Sequence, residues 1–96
     1  MKKVHELKIR PLYFDAVNEG RKTFEIRKND RGFQNSDLLM LREWSPEEGY
    51  SSRSLEFEVG YVFPLSEYFG PENDYVILSL LPYVGDPLET ASRDGE

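Results

Sequence analysis

The chain has no cysteine, one histidine and one tryptophan among 96 residues. Without cysteine there is no disulfide and no thiolate-bound zinc, so packing and hydrogen bonds must hold the fold. One histidine leaves a metal site resting on carboxylates, and no acidic calcium-loop spacing occurs; no metal and no cofactor are expected. No apolar run approaches the ~20 residues of a membrane span. The opening residues, Met1-Lys2-Lys3-Val4-His5-Glu6, lack the apolar stretch of a secretory leader. A soluble, cytoplasmic protein is expected, with no membrane partner and a monomer as the favoured state.

Positive charge is also in short supply, with a net charge of −6. Its distribution is uneven: residues 1–32 carry nine Lys/Arg against five Asp/Glu, and residues 33–96 carry three against thirteen. A protein that coats duplex DNA through its phosphates is normally basic, so extended non-specific nucleic-acid binding is not expected. A local basic site for one anion or a short single strand remains.

A chain of this length makes one domain with a modest core. Residues 1–83 read as that domain. The pattern fades after Pro82, and residues 84–96 read as a disordered tail. Val4 to Arg10 alternates, with His5, Leu7 and Ile9 on one face, as a half-buried strand does. Pro11 suits a helix start, Tyr13, Phe14 and Val17 recur at helical spacing, and Gly20 supplies the stop. Thr23 to Arg27 alternates as a second strand, with Phe24 and Ile26 toward the core and Thr23, Glu25 and Arg27 on the opposite face. Phe33 anchors the loop that follows, and Asn35-Ser36-Asp37 is a turn signal.

Leu38 to Trp44 is apolar enough for a central strand, and Leu39, Leu41 and Glu43 share a face. Ser54 to Phe63 is a long strand with Leu55, Phe57, Val59, Tyr61 and Phe63 on one side; Gly60 marks a bulge or bend. Residues 65–74 form a loop with a short turn. Tyr75 to Leu81, lacking charge, reads as a strand buried on both faces. The order β-α-β-β-β-β gives an α+β fold built as a small, partly closed barrel of about five mostly antiparallel strands with one or two short helices.

One stretch stands apart from this economy of positive charge. Residues 20–31 pack five basic side chains and two acids between a helix end and a turn-rich loop. Lys22, Glu25 and Arg27 are the candidates for a binding cleft there, with Glu43, His5 and Trp44 as further ligand-binding candidates. Arg21, Lys28 and Arg31 belong to the solvent or the rim.

His5-Glu6-Leu7-Lys8-Ile9, the helix ending in Gly20, the pattern Gly20-x-Lys22-x-x-Glu25-x-Arg27, and Leu39-Met40-Leu41-Arg42-Glu43 resemble the ASCH-like domains of the PUA superfamily. The closest likeness is to a short, single-domain branch of bacteria and phages known mainly as a domain of unknown function. The resemblance spans residue 4 to about residue 81. It implies a PUA-like pseudo-barrel with a cleft between barrel and helix, lined by Lys22, Glu25 and Arg27. It implies RNA or a nucleotide-like ligand as partner. Some ASCH relatives are amidohydrolases of acylated cytidine, whose lysine matches Lys22. Their threonine nucleophile is replaced here by Glu25, and their helical insertion with a catalytic acid is missing. A turn glycine common before the aspartate is Ser36 here.

Three functions are consistent with these residues. The first is a binding module for RNA or a modified nucleotide or nucleobase, with Lys22 and Arg27 on phosphate or base edges, Glu25 on exocyclic amines, and aromatics such as Tyr13, Phe33, Trp44 or Tyr68 available to stack on a base. The second is an amidohydrolase-type enzyme on small acylated nucleosides, in which Lys22 and Glu25 would be catalytic. The third is a protein-interaction or phage accessory factor, whose working surface is the acidic half with Glu47, Glu48, Glu56, Glu58, Glu67 and Glu72.

Overall fold

The computed structural model describes residues 2–88. Its elements are β1 (Val4–Ile9), α1 (Pro11–Asn18), β2 (Phe24–Lys28), β3 (Leu38–Ser45), β4 (Gly49–Pro64), α2 (Ser66–Phe69) and β5 (Tyr75–Pro82). The five strands form one sheet in the order β1-β3-β4-β5-β2. Only β1 and β3 run parallel; the other three pairings are antiparallel. The sheet curls into a half-barrel, so the molecule is a small α+β fold. Residues 89–96 of the expected tail lie outside the described residues.

The alternation of β1 and β3 puts Leu7, Ile9, Leu39 and Leu41 on the concave side. Val59, Val76, Leu78 and Leu80 extend that surface, and α1 covers it with Phe14 and Val17. α1 starts at Pro11, whose fixed φ suits the first helical position. Gly20, at φ +80°, turns the chain out of the helix, in a conformation glycine adopts without steric cost. Tyr13 is not on the packed face: it is 51% exposed, since residue 13 lies on the outward side of a two-turn helix that buries only Phe14 and Val17.

β4 begins at Gly49, five residues earlier than the sequence pattern suggests, because residues 46–48 make a tight turn and the strands pair from Ser45↔Gly49 onward. Its register shifts between Val59 and Val62. Gly60 sits in that bulge, where an added Cβ would lie 2.8 Å from the Ser79 hydroxyl and 3.0 Å from Leu81 Cγ. The bulge also reverses the alternation. Val59 and Val62 both pack inward, and Tyr61 points to solvent. On β5, Val76, Leu78 and Leu80 are buried but Tyr75 and Leu81 are each 47% exposed. The strand is therefore buried on one face, not both; on the other face Ile77 and Ser79 are half-buried between the exposed Tyr75 and Leu81.

The largest departure is in β2. Glu25 is 4% exposed, whereas Phe24 and Ile26 are 39% and 49% exposed. The register explains it: Glu25 pairs with Leu78 and Arg27 with Val76, both core residues, so the charged face turns inward. Phe24 and Ile26 share the outer face with Ser79 and Ile77. Pairing with β5 overrides the hydrophobic alternation of a single strand.

β1 and β2 are the two edges of the sheet and do not pair with each other. Arginines bridge the gap instead: Arg27 donates to the Lys8 carbonyl and Arg31 to the Glu6 carbonyl. On the β2 side, Lys22 donates to the Phe24 carbonyl. Edge carbonyls that would otherwise invite another strand are capped by cations. Among the described residues, no helix is long and apolar enough to cross a membrane.

Candidate functional site

The gap between the two edge strands widens into a cleft of about 460 Å³. β1 and its exit supply Lys8, Ile9 and Arg10; α1 supplies Tyr13; the approach to β2 and the strand itself supply Lys22 and Phe24 to Arg27. The lining therefore contains four cations and one carboxylate, in a chain of net charge −6.

Glu25 is the floor of the cleft. Its Oε2 accepts from Lys22 Nζ at 2.7 Å, and its Oε1 accepts from Arg27 Nε at 3.0 Å. Lys22 reaches it from just beyond the helix stop, at i−3, and Arg27 from the next inward position of the same strand. Lys22 Nζ also donates to the Phe24 carbonyl at 2.7 Å and lies 5.0 Å from the Phe24 ring and 5.6 Å from that of Tyr13. Taking a carboxylate out of water is costly unless it is paired and hydrogen-bonded, and two cations do both. The pairing holds both cations at the opening: the Lys22 and Arg27 side chains remain 18% and 26% exposed.

Lys22, Glu25 and Arg27 thus converge, and the other three candidates do not. Glu43 does not line the cleft. It lies on the concave side at the far end of β3, opposite Ile9. There Arg53 donates to both its oxygens at 2.9 Å, and the Ser51 hydroxyl donates to Oε1. The register shift between Arg42 and Trp44 aims Ser51 and Arg53 at it. Arg53 also bonds Asp15 of α1 at 3.0 Å and stacks over Phe14. The hydrogen bonds from Arg53 and Ser51 outweigh the opposing effect of burial and hold the Glu43 carboxyl at a pKa of about 2. The Arg53 guanidinium is pushed up by its bonds to Glu43 and Asp15. This is a clamp between helix and sheet.

His5 is buried beneath the loop before β3, where its Nε2 lies 2.8 Å from Asp37 Oδ2 and its ring 4.7 Å from that of Phe33. Asp37 also accepts from the Gln34 amide. Burial pushes the Asp37 carboxyl up, but the His5 and Gln34 hydrogen bonds prevail and leave it below its ordinary value. Ser36, in the turn beside it, has φ +76°, the conformation that a glycine would adopt freely. Trp44 lies outside the cleft on the convex face, with Lys8 Nζ 4.3 Å from its ring and Arg10 5.7 Å away.

Tyr13, one of the aromatics considered for stacking on a base, lines the cleft, as do Lys8 and Arg10, which the sequence does not single out as binding residues. Lys8 and Arg10 looked like the polar half of an amphipathic strand, and Tyr13 like a core residue. Only the curl of the sheet brings them opposite Lys22.

A family described as a domain of unknown function (DUF3850) matches residues 4–80 of the chain. The chain is also 40% identical over 78 residues to an uncharacterized 12.9 kDa protein in the GpA 3′ region of Escherichia phage P2. That alignment covers 81% of this chain and 68% of the phage protein.

Proposed function

The chain belongs to the DUF3850 family, and we propose that it is an ASCH-like, PUA-type module whose cleft binds RNA or a nucleotide through a base with an exocyclic amine. One observation carries this reading: a buried carboxylate at the floor of an open cleft, flanked by two partly exposed cations. Glu25 has lone pairs beyond those used by Lys22 and Arg27 and can accept from the amine of cytosine or adenine. Lys22, Arg27, Lys8 and Arg10 surround the position of the phosphate. Tyr13 and Phe24 flank the mouth with aromatic surface for the base. The volume suits one nucleotide rather than a duplex.

The amidohydrolase alternative is less well supported. Both Glu25 oxygens are already tied to cations, and Glu43, the other acid considered for that chemistry, is held in the clamp. The third reading, an acidic interaction surface, has no feature beyond composition.

The test is equilibrium binding of cytidine and uridine monophosphates, followed by calorimetry. Cytidine monophosphate should bind more tightly, and Lys22→Met should weaken it about tenfold, the loss of one charge-assisted hydrogen bond. Affinity should fall only shallowly with salt, because so few phosphate contacts are made. Equal affinity for both nucleotides, or binding indifferent to Lys22→Met and Arg27→Met, would overturn the reading.

A further inference from the structure

We propose that the bound RNA continues out of the cleft across β1 and stacks, as a single strand, on Trp44 and Tyr50 of the convex face. This deepens the reading above and rests on it for the chemistry of the ligand. The β3–β4 register sets Trp44 and Tyr50 directly opposite each other. Lys8 and Arg42 are likewise opposed across β1 and β3. The four side chains share the face opposite to the core, since Leu7, Ile9, Leu41 and Glu43 take the alternate positions.

The result is a stripe in which cations and rings interleave. Arg10 and Lys8 approach Trp44, and Arg42 lies 3.8 Å from the centre of the Tyr50 ring. Arg42 is also paired with Glu6 at 2.8 Å, which holds its guanidinium plane over the tyrosine. Lys8 and Arg10 form no ion pair among the described residues. The same two residues line the cleft, so one continuous basic path joins it to the two rings.

This pattern fits single-stranded RNA better than a protein or a duplex. Bases stack on aromatic rings and on arginine planes, and each phosphate needs a cation within a side chain's reach. A base taking the place of Lys8 on the indole releases that ammonium to the neighbouring phosphate. A second base stacks on the Arg42–Tyr50 pair. The stripe is short. Glu47 and Glu48 stand at the hairpin tip on one side, and Glu56 and Glu58 occupy the convex positions further along β4. Those acids repel a longer backbone and the second strand of a duplex.

Trp44 is the chain's only tryptophan, so its fluorescence reports on this face alone. A short oligocytidylate should quench it by stacking, and more strongly than cytidine monophosphate, which reaches Trp44 only through Lys8. Tyr50→Ala, at a position 41% exposed, should fold normally and weaken the oligonucleotide about tenfold while leaving the monophosphate affinity unchanged. Monophosphate binding that persists while the oligonucleotide binds no tighter and leaves the fluorescence unchanged overturns the path and spares the cleft. Quenching that survives Lys22→Met and Arg27→Met together supports the stacking stripe and overturns the cleft as its origin. A deoxyoligocytidylate that binds as tightly as the RNA overturns RNA as the ligand, and failure of both ligands to bind overturns both proposals.

Discussion

Glu25 and Glu43 are both on the concave side of the sheet, 4% and 7% exposed, and both are held by cationic side chains. Their surroundings differ in one respect. Glu43 sits where β3 and β4 are paired and α1 lies close, so Arg53 spans from it to Asp15 and ties the helix to the sheet. Glu25 sits on an edge strand, and among the described residues no strand pairs with the other side of it. Its partners lean in from one side and leave the other open. A buried glutamate held by basic side chains, two at Glu25 and Arg53 alone at Glu43, makes a clamp where the sheet is continuous and a cleft where it stops. A buried ion pair alone is therefore weak evidence of a site; its position relative to an unpaired edge separates the two cases.

Arg27→Met should have the largest effect on that contrast. It leaves Glu25 buried with Lys22 alone and removes the bridge to the Lys8 carbonyl. Stranding a buried charge costs about 3 kcal/mol, at the low end of the usual range because Lys22 remains. The urea midpoint should fall accordingly, and nucleotide binding should fail. A loss below about 1 kcal/mol would mean that Glu25 reaches solvent more readily than its burial suggests. Lys22→Met comes next. Glu25 keeps Arg27, so stability should drop by about 1 kcal/mol, while nucleotide affinity falls about tenfold. If the stability loss matched that of Arg27→Met, the lysine would be structural and the cleft would be a second clamp.

Glu43 should respond to pH instead of to ligand. Its carboxyl pKa, about 2 in the fold, lies below the ordinary 4.5. The stability it contributes is therefore complete above pH 4.5 and is lost as pH falls toward 2. Glu43→Gln should be less stable at neutral pH and lose less of its stability on acidification across that window. Nucleotide binding at neutral pH should be unchanged. Acid unfolding followed by far-ultraviolet circular dichroism decides it, and an unaltered acid limb would show that another carboxylate, such as Asp37, controls the transition.

Much of the architecture is legible in the residues, and the reasons are local. Pro11 and Gly20 bracket the helix because backbone geometry demands those residue types there. Leu39 and Leu41 announce a central strand, and Gly60 announces a bulge, since each signal concerns one strand and its immediate neighbours. The pattern Gly20-x-Lys22-x-x-Glu25-x-Arg27 locates three cleft residues within eight positions. What is not legible depends on curl and register. Nothing in Lys8 or Arg10 tells that β1 will face β2 across a gap. Glu43 continues the face of Leu39 and Leu41 while Glu25 alternates with Phe24 and Ile26, so the pattern marks Glu43 as the inward acid and Glu25 as the outward one; pairing with β5 turns Glu25 inward as well. The inward turn of Glu25 was hidden for the same reason: Phe24 and Ile26 compete for the core on hydrophobicity and lose to the pairing of Glu25 with Leu78.

That inversion leads to the smallest expected effect. Phe24 and Ile26 lie on the outer face of β2, 39% and 49% exposed, each beside a β5 residue of only intermediate burial. Phe24→Thr and Ile26→Thr should each change stability by no more than about 0.5–1 kcal/mol, the value of a cross-strand pair on an open face. Leu78→Ala, on the strand opposite Glu25, removes a side chain with no exposed surface and should cost about 2–5 kcal/mol. The three variants measured together in urea fix which face of β2 is inside. If Phe24→Thr or Ile26→Thr cost as much as Leu78→Ala, the apolar face would be the buried one and Glu25 would be a surface ion pair. The contrast with Glu43 would then be one of exposure, not of openness.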